Sequence, residues 1–179
     1  MKTILFSCHL KHRVLVTLFF LAGMLALQPA WAQNADTLPP PFKRYPTIPP
    51  FELLGLDGQK ITRDNLAARA GTLIIFFSPD CHHCIQQMDW LKEKRSAFEK
   101  YNLVLATYQP MEELQAFFKK YEMAGWKNLY IGRDEKFFFP PYFRIGNLPY
   151  LALYDKKGKL LTSFEGTTPI DKVVKGFKP

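Results

Sequence analysis

A buried strand that leads directly into a helix is the feature that most constrains what this chain can fold into. Residues 73–77 read L-I-I-F-F, an uninterrupted apolar run of strand length. Successive side chains of a strand point to opposite faces, so such a run is typical of a strand covered on both faces, as in the centre of an α/β sheet. The residues S-P-D at 78–80 end the strand, and from Cys81 to about Lys100 the apolar residues recur at helical spacing.

The rest of the chain extends this unit into a mixed sheet. The elements predicted after it are a strand at 102–107, a helix at 111–123, a short strand at 128–131, a hairpin of strands at 148–155 and 159–165, and a helix at 171–177. Before it, 51–62 predict a hairpin that turns at Asp57 and Gly58, after which Thr62 can cap a short helix over 63–69. We therefore expect an α/β fold with a central mixed sheet flanked by helices.

The first 32 residues have the pattern of a secretory signal peptide. Lys2, Lys11 and Arg13 precede an apolar run over 14–27, and A-W-A at 30–32 places small residues at the signal-peptidase positions. We expect cleavage after residue 32, since the apolar run is shorter than the roughly 20 residues that span a bilayer. An uncleaved membrane anchor is the alternative.

The predicted organisation is thus a signal peptide at 1–32, a Pro-rich extended leader at 33–48 and one domain at 49–179. The protein would be exported, and periplasmic in a Gram-negative cell. Without 1–32 the net charge falls from +8 to about +5, because three cations and no acid leave. The scattered lysines indicate a solvated basic surface rather than a nucleic-acid-binding stripe.

Removal of the signal leaves every cysteine and histidine in one tetrapeptide. Cys8, His9 and His12 lie within 1–32, and the others read C-H-H-C at 81–84. This excludes a metal site or a Cys–His nucleophile assembled from distant cysteines and histidines. Any thiol chemistry must be local.

The C-x-x-C motif lies where the strand ends and the helix begins. Free N–H groups and the helix dipole stabilise a thiolate at a helix N-terminus, which favours Cys81 as the attacking residue. Cys84 follows one turn later on the same face, within reach of a disulfide, and is expected to resolve the mixed disulfide. Thiol–disulfide exchange needs this arrangement, and an oxidising compartment allows the pair to rest as a disulfide.

Other interpretations of the motif stay open at this point. A zinc site would lack its second pair of ligands, whereas a purely structural disulfide is a stronger alternative. His83 either stabilises the Cys81 thiolate, which would make the disulfide more oxidising, or is a plain surface residue. For His82 the surface interpretation is preferred. Asp80 either disfavours the thiolate or caps the helix.

From about residue 48 onward the chain resembles the thioredoxin-like superfamily, and most closely the exported thiol–disulfide oxidoreductases of the TlpA/ResA kind, grouped with the AhpC/TSA redoxins. The resemblance is carried by P-P-F-E-L-L-G-L-D-G-Q-K-I-T, L-I-I-F-F-S-P-D-C-H-H-C and G-N-L-P-Y-L-A-L-Y-D-K-K-G-K-L. It implies a thioredoxin-like fold with an N-terminal hairpin extension and a central insertion at about 111–143. It also implies that Pro149 is cis and faces the C-x-x-C, and that the backbone of Leu148 pairs with the substrate chain.

Three departures from the family pattern bear on the direction of electron flow. Asp80 stands where a tryptophan is common, and Ile74 and Ile75 leave no buried acid beneath the thiols. Gln87 stands where ResA-like reductases tend to carry glutamate, so no proton acceptor for Cys84 is evident. Together with His83, these departures argue against a strong reductant, and they leave the direction of electron flow open.

The sequence supports three functions. The first is disulfide exchange with protein thiol or disulfide substrates, by a monomer that needs a redox-recycling partner but no metal, organic cofactor or nucleic acid. The second is a peroxiredoxin-like peroxidase: Ser78 lies three residues before Cys81, although Ile74 replaces the proline of P-x-x-x-T/S-x-x-C. The third is a non-catalytic redoxin-fold binding module or copper carrier.

The aromatic residues at 137–143 have two interpretations. Core packing is favoured. The alternative is an apolar docking surface beside Pro149 for an unfolded or partner polypeptide.

Overall fold

The apolar run at 73–77 supplies most of the strand Gly71–Phe76, which lies in a seven-stranded sheet. The structure is a computed structural model, and it describes residues 38–178. The strands are β1 Glu52–Gly55, β2 Lys60–Thr62, β3 Gly71–Phe76, β4 Asn102–Thr107, β5 Leu129–Arg133, β6 Tyr150–Asp155 and β7 Leu160–Glu165. The helices are α1 Pro41–Arg44, α2 His82–Glu93, α3 Arg95–Phe98, α4 Met111–Lys120, α5 Phe139–Phe143 and α6 Ile170–Lys175. The strand order is β2-β1-β5-β4-β3-β6-β7, and the predicted mixed α/β sheet is confirmed.

Strand direction brings several chain segments to one edge of the sheet. β3, β4 and β5 are mutually parallel, so all three end at the same edge. β6 runs antiparallel to β3 and begins at that edge, because Tyr150 pairs with Phe76. We call this edge the C-terminal edge, because the three parallel strands end there. The ends of parallel strands are where α/β sheets usually place their functional groups.

The core has one apolar cluster on each face of the sheet. Leu73, Ile75 and Phe77 face a cluster that also receives side chains from α2, α4 and α6. Ile74 and Phe76 face a second cluster, which is rich in aromatic residues. All five side chains are almost completely buried, so the prediction of a strand covered on both faces is confirmed.

Two predicted helices differ most from the expectation, and both are shorter. The helix expected from Cys81 to Lys100 is divided into α2 and α3 at Lys94, whose backbone leaves the helical region (φ −102°, ψ 23°). The helix expected over 63–69 is a single 3₁₀ turn, Arg63–Asn65. Thr62 is the N-cap residue of that turn, and the Asn65 carboxamide oxygen accepts from its backbone N–H at 2.7 Å and from its hydroxyl at 2.9 Å, in a capping-box arrangement.

Part of the segment expected to be an extended leader packs on the sheet. Phe42, on α1, is buried, and its ring lies 5.6 Å from that of Phe143. The backbone continues this attachment, since Ile48 N–H donates to Gly158 O and Leu160 N–H donates to Pro46 O. The predicted signal peptide and its cleavage site lie outside the described residues.

The aromatic residues at 137–143 divide between core and surface. Phe139 and Phe143 are buried in the second cluster, and their rings are stacked 5.8 Å apart. Phe137 is 52% exposed. Core packing is therefore correct for Phe139 and Phe143 but not for Phe137.

Candidate active site

The C-x-x-C motif lies at the C-terminal edge, in the turn between β3 and α2. Cys81 is the N-cap residue of α2, and Cys84 is in its first turn. Both cysteines are free thiols, Cys81 half-buried and Cys84 completely buried. A partner molecule can therefore reach the sulfur of Cys81 but not that of Cys84.

Burial raises the pKa of the Cys84 thiol to about 12. The neighbouring Cys81 thiol and the charge of Asp80 act in the same direction, whereas the Ser78 N–H, 3.5 Å from the Cys84 sulfur, acts against them. Cys84 thus stays protonated at neutral pH. It can act as a nucleophile only after it loses its proton near the sulfur that it attacks.

A hydrogen-bonded chain of side chains holds the turn that carries Cys81. The Ser78 hydroxyl donates to the Asp80 carboxylate and accepts from the Gln109 amide at 2.9 Å. Asp80 was expected to be a possible helix cap, but the cap position is Cys81 and no side chain caps the helix. The Ser78 hydroxyl, which a peroxidase would direct at its cysteine, is occupied by Asp80 and Gln109.

The cis peptide expected from the family resemblance is present between Leu148 and Pro149. Pro149 immediately precedes Tyr150, the partner of Phe76, so it lies at the C-terminal edge beside the end of β3. Pro149 is buried, whereas Leu148 is half-buried and packs against both core clusters. Leu148 is therefore more accessible than the proline ring.

The segment 166–168 joins the cis-proline loop to the C-x-x-C helix. Gly166 N–H donates to Pro149 O at 2.8 Å. The Thr167 hydroxyl donates to His83 O at 3.4 Å, and Thr168 N–H donates to the Gln87 side-chain oxygen at 2.7 Å. These three bonds fix the loop relative to the thiols.

Gln87 is therefore a positioning residue in this chain. Its side chain is completely buried, and its amide nitrogen has no hydrogen-bond partner in the described structure. From the sequence, Gln87 was notable only because ResA-like reductases tend to carry glutamate at that position. Its bond to Thr168 joins residues 81 positions apart, which no local pattern indicates.

Glu165 holds the loop that precedes the cis peptide. Its carboxylate accepts from the backbone N–H of Gly146 and from that of Asn147, the latter at 2.8 Å. Sequence reasoning missed this residue, because an acid at a strand end is usually solvated. The contact makes Glu165 a second positioning residue for the loop.

We expect Glu165→Ala to loosen this loop. Without the carboxylate, the amides of Gly146 and Asn147 should exchange with solvent about five- to tenfold faster, because each loses a charge-assisted hydrogen bond. Hydrogen exchange measured by NMR tests this. Glu165→Gln keeps an acceptor oxygen, so its exchange rates should lie between those of the wild type and Glu165→Ala. Equal protection of these amides in all three proteins would contradict the role of Glu165 as a positioning residue.

Both histidines of the motif are exposed. Their rings lie 5.9 Å apart. The structure of residues 38–178 contains no hydrogen bond from either ring to Cys81. Any effect of His83 on the thiolate must act through its charge rather than through a fixed contact.

Comparison with known proteins assigns the chain to a family. The model of the AhpC/TSA family matches residues 46–173. The chain belongs to the AhpC/TSA family. Among curated proteins, none matches the chain.

Solved structures share the fold of this AhpC/TSA protein. A secreted disulfide oxidoreductase of Mycobacterium tuberculosis, described as homologous to E. coli DsbE, has a TM-score of 0.59 at 17% identity, covering 72% of this chain and 94% of its own. StoA from Bacillus subtilis has a TM-score of 0.57 at 18% identity, covering 74% and 100%. DsbF of M. tuberculosis, in mixed oxidised and reduced forms, has a TM-score of 0.61 at 18% identity, covering 73% and 97%. At this identity the likeness establishes a thioredoxin-like fold.

Two further observations concern the described part of this AhpC/TSA protein. In residues 38–178, no three Cys, His, Asp or Glu side chains lie close enough together to hold a metal ion. No helix in the same range is both long enough and apolar enough to cross a membrane.

Proposed function

We propose that this protein is an exported thiol–disulfide oxidoreductase that exchanges disulfides with protein substrates through Cys81 and Cys84. The observation that carries the proposal is the contrast between the two thiols. Cys81 is accessible at the start of α2, whereas Cys84 is buried one turn later with a pKa of about 12. An accessible nucleophile beside a protected thiol is what a two-step exchange requires.

In the reducing direction, the Cys81 thiolate attacks one sulfur of a substrate disulfide. The Cys81–substrate bond forms, the substrate S–S bond breaks, and the departing thiolate takes up a proton. Cys84 then loses its proton and attacks the Cys81 sulfur, which releases the substrate as a dithiol and leaves a Cys81–Cys84 disulfide. Two electrons pass to the substrate, and the oxidising direction is the reverse.

Repeated turnover needs a second thiol or disulfide protein that restores the starting state. We propose that the chain works as a monomer, without an organic cofactor or nucleic acid, after export and removal of residues 1–32. Support for export comes from the signal-like sequence at 1–32, and one structural neighbour is itself described as secreted. The substrate chain would contact the backbone of Leu148 beside Pro149.

The proposal is tested by the reduction of insulin disulfides with dithiothreitol as electron donor. The protein should accelerate insulin reduction, and the Cys81→Ser variant should not. Two other results would replace the proposal: peroxide consumption without exchange would favour a peroxidase, and tight copper binding by the reduced pair without exchange would favour a copper carrier.

We further propose that His83 makes the disulfide more oxidising by stabilising the Cys81 thiolate. His83→Ala should then shift the reduction potential to a more negative value, by about 30 mV if the stabilisation is worth a factor of ten. His82→Ala is the matched control, because His82 is also exposed in the same motif. Equal shifts in the two variants would show that His83 has no special role.

A further inference from the structure

Two exposed aromatic residues form a small apolar surface at the C-terminal edge. Tyr108 is 40% exposed and Phe137 is 52% exposed, and their rings meet edge to face at 5.4 Å. We call them the aromatic pair. Single exposed apolar residues are common, but two rings in mutual contact beside an active site are unusual enough to need a cause.

The backbone conformation of Phe137 is unfavourable for a large side chain, so its exposed ring needs an explanation. Its φ is +50°, in the left-handed region that disfavours side chains larger than glycine or asparagine. The buried carboxylate of Asp134 enforces this turn by accepting from Phe138 N–H at 2.9 Å and from Phe139 N–H at 2.8 Å. The fold thus holds a large ring outward where glycine would suit the backbone better. Core packing does not explain the choice.

The aromatic pair lies at the same edge as the thiols, on the side of the second core cluster, since the Tyr108 ring lies 6.0 Å from that of Phe76. The strand order places the ends of β5, β4 and β3 side by side, so Phe137, Tyr108 and Cys81 follow these strands in sequence across the edge. The bond from the Gln109 amide to the Ser78 hydroxyl joins the Tyr108 segment to the C-x-x-C turn. Adjacent strands are about 4.8 Å apart, so the ends of β3 and β5, which have β4 between them, are about 10 Å apart.

The charges around the pair are neutralised locally. Arg133 lies 3.6 Å from Glu135, and Lys136 lies 2.9 Å from Glu52. The surface therefore presents rings without a dominant charge, which suits an apolar side chain rather than an ionic group.

We propose that the aromatic pair is a docking surface for an extended polypeptide substrate and binds an apolar side chain of that substrate. At about 3.3 Å per residue, a chain along the edge would place this side chain about three residues from the cysteine that reacts with Cys81. The inference rests on the proposed function and specifies its substrate class: cysteine-containing chains with a nearby apolar residue, as exposed in unfolded proteins.

The test measures a single turnover of the reduced protein with short peptides, each carrying one cysteine as a mixed disulfide with thionitrobenzoate. The peptides have either phenylalanine or serine three residues from the cysteine, on either side. The wild type should react about five- to tenfold faster with one of the phenylalanine peptides, as expected for partial burial of one aromatic side chain. Phe137→Gly should remove that preference and leave the serine peptides and a small aromatic disulfide reacting at unchanged rates.

The controls separate docking from the chemistry and from stability. Leu161→Ala, which removes an exposed apolar side chain at the opposite end of the sheet, should change none of these rates. Phe137→Gly should not lower the thermal stability, because glycine suits the left-handed backbone.

Several results would overturn the inference. They are equal rates for phenylalanine and serine peptides, an equal slowing of all substrates in Phe137→Gly, a loss of stability in that variant, or a dimer that Phe137→Gly dissociates. A wild-type protein that reacts with no disulfide at all, including the small one, would instead overturn the proposed function, and the docking proposal with it.

Discussion

The Cys84→Ser protein is expected to accumulate a stable mixed disulfide with its substrate, whereas the Cys81→Ser protein forms none. Cys81 is the thiol that a substrate can reach, and Cys84 is completely buried. Without Cys84, the first attack proceeds but the resolving attack cannot. Without Cys81, the exchange rate should fall by about 10³-fold or more, since the nucleophile itself is lost.

The experiment incubates each reduced variant with an oxidised protein substrate, quenches with acid and measures the adducts by intact mass. Serine is close in size to cysteine, so the folded structure should be retained, and the circular dichroism spectrum checks this. The reverse result, an adduct on Cys84 in the Cys81→Ser protein, would contradict the assignment of roles. Adducts in neither variant would contradict exchange chemistry.

The second large effect is a loss of stability of the reduced protein at alkaline pH. Burial raises the pKa of the Cys84 thiol from 9.0 to about 12, so between these values the thiol ionises in the unfolded chain but not in the folded one. Stability that is complete below pH 9 is therefore lost as the pH rises toward 12. At about pH 11 the loss should reach about 3 kcal/mol.

Urea unfolding under a strong reductant, at about pH 8 and about pH 11, measures this loss. Cys84→Ser is the matched control, because it retains Cys81 and the tyrosines, including Tyr121, whose pKa burial also raises to about 12. The difference in stability between wild type and Cys84→Ser should change by about 3 kcal/mol between the two pH values. A constant difference would show that the Cys84 thiol is not protected in the folded protein.

The parts of this fold that follow from local pattern were predictable from the sequence. The run at 73–77 is apolar at every position, so both faces of its strand had to be covered, and the two core clusters provide that cover. The position of Cys81 at the strand–helix junction followed from the change of periodicity from strand to helix. The hairpin turn at Gly58 followed from its sequence, and Gly58 has the positive φ that such a turn needs.

The parts that depend on distant partners were not predictable. The three phenylalanines at 137–139 have no periodicity that tells which ring faces inward; the Asp134 carboxylate decides this by bonding the N–H groups of the last two. Phe42 lies in a Pro-rich segment whose composition indicates an extended chain, yet its ring is buried against Phe143. Glu165 and Gln87 act through hydrogen bonds to residues 18 to 81 positions away.

The central claim is that Cys81 and Cys84 form a redox-active pair, and its most direct test is the reduction potential of that pair. Purified protein is equilibrated with glutathione buffers of graded ratio, trapped with an alkylating agent and analysed by mass. The account predicts a single reversible two-electron couple between about −120 and −270 mV, the range from strong oxidases to thioredoxin-like reductases. A pair that forms no disulfide, or one that stays oxidised below about −300 mV as a structural disulfide does, would contradict it.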